Sequence, residues 1–249
     1  MSRTRIGPVE IIAGKPRGRL LDVPAGHGLE SSRLRELGFT VAAAELFPQP
    51  NRDREIGWVQ ADANEPLPFH AGEFDYILSR EGIEHLENQA GFIRECARVI
   101  RPGGMIVITT PNVMHVASRL SYFLTFHRTV RRGLMNEAQT LRSAYGKRYY
   151  HGHIFLIDYF RLRYLLRIGG FGEIGVLSDR RVSPTSIGLA WCVPALWLAS
   201  KFSVAMSRRK ARKYGHVVPN DLIGEIMKHV FSPAMLFGKQ LIVSARKLS

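Results

Sequence analysis

The sequence predicts an α/β protein built as a doubly wound, mostly parallel sheet. Two patterns carry this prediction. Short apolar runs alternate with helical segments through residues 19–112, and the runs are apolar throughout, as in strands that helices cover on both faces. The chain has 249 residues, 45% of them hydrophobic, which is enough for a sizeable core. We therefore expect a single domain over residues 1–249.

Each element of the first half has its own local signal. Residues 19–23 form a short apolar run that predicts the first strand. Residues 29–37 predict a helix with its three leucines on one side, and Gly38 is typical of a helix end. The same patterns predict strands over 40–45, 57–60, 74–79 and 105–110, and a helix over 90–100 that a Pro-Gly-Gly turn ends.

The second half adds one helix and two strands. A helix is expected over 158–168, with its apolar residues on one side and Arg161, Arg163 and Arg167 at polar positions. Residues 171–178 predict a sixth strand, and residues 240–246 predict a seventh.

Three acidic residues stand where predicted strands end. Asp22 ends the first strand, Glu45 the second and Asp62 the third. Open parallel sheets bind ligands along their carboxyl edge, so we expect these side chains to share one site. Gly26 and Gly28 lie between the first predicted strand and the helix after it, where glycine lets the backbone approach a ligand closely. No Lys or Arg accompanies these glycines, which favours an adenosine with a positively charged appendage over a pyrophosphate.

The segment 20–112 resembles the class I S-adenosylmethionine-dependent methyltransferases. Leu21–Gly28 is similar to the first motif of that family, with Pro24 in place of its first glycine. Arg101–Gly104 is similar to the turn before the family's fifth strand. The resemblance resumes at Gly152 and continues to Phe171.

The resemblance implies a Rossmann-like, seven-stranded sheet whose last strand is antiparallel, and S-adenosylmethionine as the cofactor. Glu45 matches the ribose-binding position, and Asp62 with Ala63 matches the adenine edge. Pro24 makes the first turn more rigid and removes one backbone N–H. The residues that the resemblance implies for cofactor binding are Asp22, Pro24, Ala25, Gly26, Gly28, Glu45, Asp62, Ala63, Ser79 and Glu81.

Residues 79–86 follow the fourth strand, where the resemblance places the reactive methyl group and the acceptor. His85 is the candidate base, because imidazole titrates near neutrality. A histidine that caps or packs a loop is the alternative. His153, just before the predicted helix of the second half, is the second candidate, as an acceptor contact at the rim of the site.

A metal site is not expected. Glu81, Glu84 and His85 resemble the Glu-x-x-Glu-His segment of some quinone O-methyltransferases, where a divalent cation can bind, but many relatives carry a similar Glu-His without metal. His151 and His153 are spaced for ligation, yet no third ligand is evident near them in the sequence.

The net charge of +14 is unevenly distributed. Residues 1–112 contain 13 Lys and Arg and 15 Asp and Glu, whereas residues 113–249 contain 22 and 6. This asymmetry predicts an anionic partner for the second half, namely nucleic acid, anionic lipid or a phosphorylated substrate, with a solvated basic surface as the alternative.

Residues 113–150, rich in arginine and aromatic residues, are interpreted as an acceptor lid. Such a lid could hold a phosphate-bearing or glycosyl acceptor or stack single-stranded RNA, and a solvated helix pair is the alternative.

Residues 180–238 are predicted to be a helical hydrophobic and basic insertion. Its uninterrupted apolar run, 187–199, has 13 residues, whereas a bilayer span needs about 20, and Pro194 is expected to kink it. Two tryptophans and the basic cluster 208–213 suit a helix in the interface of an anionic membrane. A homodimer interface or a lid is the alternative. A second apolar stretch, 226–237, is a candidate for contacting the membrane together with the first.

We therefore expect methyl transfer to a small-molecule or lipid-linked acceptor of the glycan or quinone type, at oxygen and at a membrane surface. One alternative is an RNA methyltransferase. The other is a catalytically degenerate adaptor for a membrane or a protein partner, in which Pro24 disrupts the first motif. Two cysteines and the absence of a signal-like apolar run in residues 1–14 favour a cytoplasmic protein, peripheral on the inner membrane face.

Overall fold

The computed structural model describes residues 7–47, 53–125, 144–145, 148–149, 152–178 and 181–249. Its strands are β1 (Arg19–Asp22), β2 (Thr40–Glu45), β3 (Gly57–Gln60), β4 (Phe74–Arg80), β5 (Ile100–Pro111), β6 (Ala144–Tyr145), β7 (Arg148–Tyr149), β8 (Phe171–Ser178) and β9 (Gln240–Lys247). Its helices are α1 (Pro8–Ala13), α2 (Leu29–Glu36), α3 (Gln89–Val99), α4 (Val116–Thr125), α5 (Tyr159–Ile168), α6 (Pro184–Gly188), α7 (Val193–Lys213), α8 (Asn220–Val230) and α9 (Pro233–Phe237). Short 3₁₀ turns lie at Ile83–His85 and Ala190–Cys192.

Seven of the described strands form one sheet in the order β3-β2-β1-β4-β5-β9-β8, and β6 pairs with β7 in a small hairpin. The pairs from β3 through β5 are parallel, whereas β9 is antiparallel to both of its neighbours. The predicted doubly wound, seven-stranded sheet with an antiparallel last strand is confirmed. The strand order reverses between β1 and β4, which is where open α/β sheets bind their ligands.

Helices cover both faces of this sheet. On one face, Phe92 of α3 and Leu162 of α5 pack in a core that includes Ile77 of β4. On the other face, Leu34 of α2 packs in a core that includes Leu78, the next residue of β4. Consecutive strand residues point to opposite faces, so a strand buried on both sides must be apolar throughout.

Two expectations for the helices are wrong. Leu29 is 73% exposed, because it is the first residue of α2 and lies at the sheet's carboxyl edge instead of over its face. Arg163 is buried, whereas the sequence pattern predicts a polar, exposed position for it on α5. Its guanidinium donates two hydrogen bonds, of 2.9 and 2.8 Å, to the carboxylate of Glu225 in α8, so the buried charge is paired.

The insertion between β8 and β9 contains α6, α7, α8 and α9. Pro194 is the second residue of α7, where a missing N–H costs no helical hydrogen bond, so the predicted kink is wrong. The predicted second membrane stretch is also wrong, because Val230, Met235 and Leu236 are buried in the protein. Among the residues that the structure describes, no helix is both long enough and apolar enough to cross a bilayer.

Candidate functional site

A cavity of about 650 Å³ lies at the carboxyl ends of β1, β2 and β4, beside the reversal in strand order. This volume is in the usual range for small-molecule sites. Five carboxylates and one arginine are among the residues that line it: Asp22, Glu30, Glu45, Asp62, Glu81 and Arg80. The cavity is therefore negatively charged.

The first turn forms one wall of the cavity and depends on two glycines with positive φ. Gly26 has φ of +53° and Gly28 has φ of +74°, in the left-handed region that favours glycine. A Cβ on Gly28 would also lie 2.6 Å from the ring of Trp58, whereas a Cβ on Gly26 would meet no atom within 4 Å. Gly28 thus supports packing behind the turn, and Gly26 is required by the turn itself.

Asp22 is a buried carboxyl group at the end of β1. The hydroxyl of Ser31 donates a hydrogen bond of 2.5 Å to its Oδ2. Burial raises the pKa of Asp22 to about 7, and the nearby carboxylates of Glu30 and Glu45 add to this rise. The hydrogen bond from Ser31 and the charge of Arg80 oppose it without cancelling it. A cationic ligand stabilises the charged form of such a buried carboxyl group, so Asp22 favours the binding of a cation.

Glu45, at the end of β2, is tied to the first turn. Its carboxylate accepts a hydrogen bond of 2.8 Å from the N–H of Gly26 and one of 3.2 Å from the N–H of Phe47. Asp62 follows β3 and accepts hydrogen bonds of 2.9 and 3.1 Å from the backbone and side-chain nitrogens of Asn64. The structure therefore brings the three strand-end acids to one cavity, as expected.

The segment after β4 closes the opposite wall. Glu81 has φ of +48°, which is uncommon for a residue other than glycine. Its N–H donates to the carbonyl oxygen of Thr109, at 3.0 Å, and holds the segment against β5. Gly82 lies against Pro24, since a Cβ on Gly82 would be 2.3 Å from the proline ring. The proline of the first turn therefore packs against the segment that carries His85.

Glu84, His85 and His153 form a cluster next to this wall. One ligand-type atom from each residue lies within 4.8 Å of the others, and the two imidazole rings are 5.1 Å apart. Glu84 is buried and accepts a hydrogen bond of 3.1 Å from the hydroxyl of Thr110. Nδ1 of His85 lies 3.3 Å from the carbonyl oxygen of Gly152. The loop before α5 thus brings His153 to a residue that is remote in sequence.

Most of the predicted site residues line the cavity, and three do not. Gly28 lies behind the turn, Ser79 is fully buried, and His153 contacts the site through His85. His151 and most of the predicted lid over 113–150 lie outside the described residues. The prediction missed several cavity residues, of which Leu29 and Phe47 bring apolar surface and Arg80 pairs with Glu30 at 2.6 Å. The reversal of strand order is the signal that could have found them, since residues just after strand ends line such crevices.

A family model described as a methyltransferase domain matches residues 4–171. The ubiquinone biosynthesis O-methyltransferase of Caulobacter sp. (strain K31) is 36% identical over 103 residues, which are 38% of this chain and 41% of the relative. An uncharacterised protein of Mycobacterium bovis is 39% identical over 112 residues, which are 41% of this chain and 40% of the relative. The chain therefore spans about two fifths of the length of these curated relatives.

Solved structures with the same fold are more distant in sequence. An S-adenosylmethionine-dependent methyltransferase from Archaeoglobus fulgidus is similar with a TM-score of 0.54 and 16% identity, over 95% of this chain and 89% of that chain. Phosphoethanolamine N-methyltransferase 2 of Haemonchus contortus, in complex with S-adenosylmethionine, is similar with a TM-score of 0.51 and 16% identity, over 95% and 50%. The family model covers more than half of the chain, and the sheet has the expected order. The chain belongs to the class I S-adenosylmethionine-dependent methyltransferases.

Proposed function

We propose that the protein transfers the methyl group of S-adenosylmethionine to an oxygen atom of a small-molecule or lipid-linked acceptor of the glycan or quinone type. The observation that carries this proposal is the acidic cavity at the carboxyl edge of the sheet, with His85 in its wall. The name of the Caulobacter relative, ubiquinone biosynthesis O-methyltransferase, supports an oxygen acceptor of the quinone type.

The residues of the cavity fit the cofactor by charge. Arg80 is paired with Glu30, so the remaining carboxylates of the lining leave the cavity negative. A negative cavity attracts a ligand with positively charged sulfur and amino groups and repels a pyrophosphate. When bound, S-adenosylmethionine supplies a methyl group that the positive charge of its sulfur activates.

Each wall of the cavity is assigned one part of the cofactor. Glu45 accepts hydrogen bonds from the ribose hydroxyls, and Asp62 with Ala63 contacts the adenine edge. Asp22 and the turn 24–28 hold the methionine end, where Asp22 binds the amino group. These assignments are supported by the position of each residue in the cavity wall or directly behind it.

His85 is proposed as the base for the acceptor. A carbonyl oxygen only accepts hydrogen bonds, so in the contact with Gly152 the Nδ1 of His85 is the donor. The neutral ring then carries its lone pair on Nε2. Nε2 would take the proton of the acceptor O–H as the acceptor oxygen replaces sulfur on the methyl carbon, with the electron pair of the broken carbon–sulfur bond left on the sulfur. Leu29, Phe47 and Leu86 line the same cavity and bring apolar surface to it.

Replacing Glu45 by alanine is expected to weaken the binding of S-adenosylhomocysteine by roughly 1–3 kcal/mol, which is about 5- to 150-fold in Kd. The physical reason is the loss of charge-assisted hydrogen bonds to the ribose hydroxyls. Calorimetric titration of the purified protein measures the change.

Two further variants control for the fold. Glu45→Gln keeps one side-chain oxygen, enough to accept from the N–H of Gly26 but not also from that of Phe47, and removes the charge, so its affinity should lie between those of the wild type and Glu45→Ala. Glu36→Ala removes an exposed carboxylate at the end of α2 and should leave the affinity unchanged. An unchanged affinity in Glu45→Ala contradicts the ribose assignment.

Removal of divalent cations is expected to leave the activity intact, because His85 acts as a base in this proposal. Glu84, His85 and His153 are nevertheless a donor set that a divalent metal accepts. The test is elemental analysis of protein purified without chelator, together with activity after dialysis against EDTA. Stoichiometric metal, or a loss of activity that Mg²⁺, Mn²⁺ or Zn²⁺ reverses, makes these three residues a metal centre instead.

A further inference from the structure

An apolar stripe runs along the outward side of α7. Trp191, just before the helix, is 76% exposed, and Leu198, Phe202 and Met206 are 62%, 70% and 50% exposed. Residues spaced by four lie on the same side of a helix, so the last three are neighbours in space. None of the residues of α7, all of which the structure describes, is buried. A contiguous exposed apolar surface of this kind is typical of an interaction site.

The opposite side of the helix is less exposed to solvent. Leu196, Ser200 and Val204 are half-buried and are also spaced by four. The less exposed side of the helix is therefore the one that carries these three residues, and the larger apolar residues of the stripe lie on the other side. Core packing does not account for Phe202 and its neighbours in the stripe.

Basic residues continue the same stripe toward the end of α7. Arg209 and Lys213 follow Phe202 and Met206 at helical spacing, and both are exposed. Between residues 181 and 220 the sequence contains seven Lys and Arg and no Asp or Glu. The surface thus combines apolar residues, a tryptophan and positive charge, in a stretch of sequence without a carboxylate, which matches the interface of a bilayer that contains anionic lipid.

The sheet register places both ends of the insertion that contains α7 at the edge that carries the cavity. β8 and β5 run in the same direction, because both are antiparallel to β9. Ser178 at the end of β8 pairs with Leu241, and Pro111 at the end of β5 pairs with Gln240. The insertion therefore leaves and rejoins the sheet at the carboxyl edge, where Asp22 stands.

We propose that the outward face of α7 docks the protein on an anionic membrane with the cavity edge of the sheet toward the lipid. A second copy of the chain is a poorer occupant, because the segment 181–220 offers no carboxylate to meet the partner's cations. The docking itself is independent of the proposed chemistry. Its consequence, the capture of a lipid-linked acceptor at the membrane surface, rests on the proposed function.

Vesicle sedimentation of the full chain tests the docking. The wild type should sediment with vesicles of phosphatidylcholine and phosphatidylglycerol about tenfold more strongly than with phosphatidylcholine alone, and high salt should reduce the difference. Phe202→Asp, and separately the pair Arg209→Gln and Lys213→Gln, should each lower binding by about tenfold or more.

Matched controls lie on α5. Phe160→Asp and Arg161→Gln change an exposed aromatic and an exposed basic residue there and should leave vesicle binding unchanged. Titration with S-adenosylhomocysteine should give the wild-type affinity for every variant, so a failure of the proposed chemistry is distinguishable from a failure of docking. Wild-type vesicle binding by Phe202→Asp overturns the proposal. So does a homodimer in sedimentation equilibrium that Phe202→Asp dissociates, or RNA binding that the charge variants abolish while vesicles remain unbound.

Discussion

Replacing Asp22 by alanine is expected to abolish measurable binding of S-adenosylhomocysteine to the purified protein, a loss of roughly a hundredfold or more. Asp22 is buried at the end of β1 in the wall of an acidic cavity, and its proposed partner is the positively charged amino group of the ligand. Removal of one partner of a buried charge pair leaves the other charge desolvated and unpaired, which makes the effect large. Isothermal titration calorimetry measures the loss.

A carboxylate at the other end of the sheet provides the control. Asp75, near the start of β4, accepts a hydrogen bond of 2.7 Å from the N–H of Arg19 and pairs with Arg101 at 2.6 Å. Asp75→Ala should therefore lower the melting temperature without changing the affinity for the ligand. Micromolar binding by a folded Asp22→Ala protein would refute the assignment of the methionine end.

The pKa of Asp22 adds a pH dependence to the same result. Burial raises this pKa from 3.8 to about 7. A cationic ligand binds the deprotonated form, so the affinity of the wild type should rise between about pH 6 and pH 8. The unliganded folded protein binds a proton that the unfolded chain releases, so its stability should fall as the pH rises from about 4 to about 7. Asp22→Asn should flatten both profiles. An unaltered stability profile in this variant would contradict the assignment of the pH dependence to Asp22.

Replacing His85 by alanine is expected to lower kcat by about 10²- to 10⁴-fold while the Kd for S-adenosylhomocysteine stays the same. His85 lines the cavity, and its contact with the carbonyl oxygen of Gly152 leaves the lone pair of the neutral ring on Nε2. Loss of the base slows proton removal from the acceptor, whereas the residues assigned to the cofactor are untouched. The measurement is steady-state methyl transfer to an acceptor found by screening membrane extracts and quinol-type phenols.

Two other histidine variants serve as a control and a comparison for this result. His70→Ala changes an exposed histidine outside the cavity lining and should keep the wild-type kcat. His153→Ala removes a ring 5.1 Å from that of His85 and should have a smaller effect than His85→Ala, because His153 does not line the cavity and reaches it only through His85. A His85→Ala enzyme with near wild-type kcat would remove His85 from the chemistry and leave it as a residue that packs the loop.

The sequence by itself determined the layers of the fold and the three strand-end acidic residues of the cavity. Apolar runs interrupted by glycine turns are local signals, so they predicted the five parallel strands and the two strands that follow the helix at Tyr159–Ile168. Asp22, Glu45 and Asp62 were predictable as one group, because the carboxyl ends of parallel strands necessarily share an edge.

Only the tertiary structure decided which distant residues meet. His153 reaches His85 across more than sixty residues of sequence, and Glu225 pairs with the buried Arg163 across a similar distance. Contacts of this kind depend on how the elements pack and leave no periodic trace in the chain. The same reason applies to the insertion, where one apolar stretch became an exposed stripe on α7 and the other entered the core at Met235. Hydrophobicity alone does not distinguish these outcomes, because the choice depends on which face the rest of the protein covers.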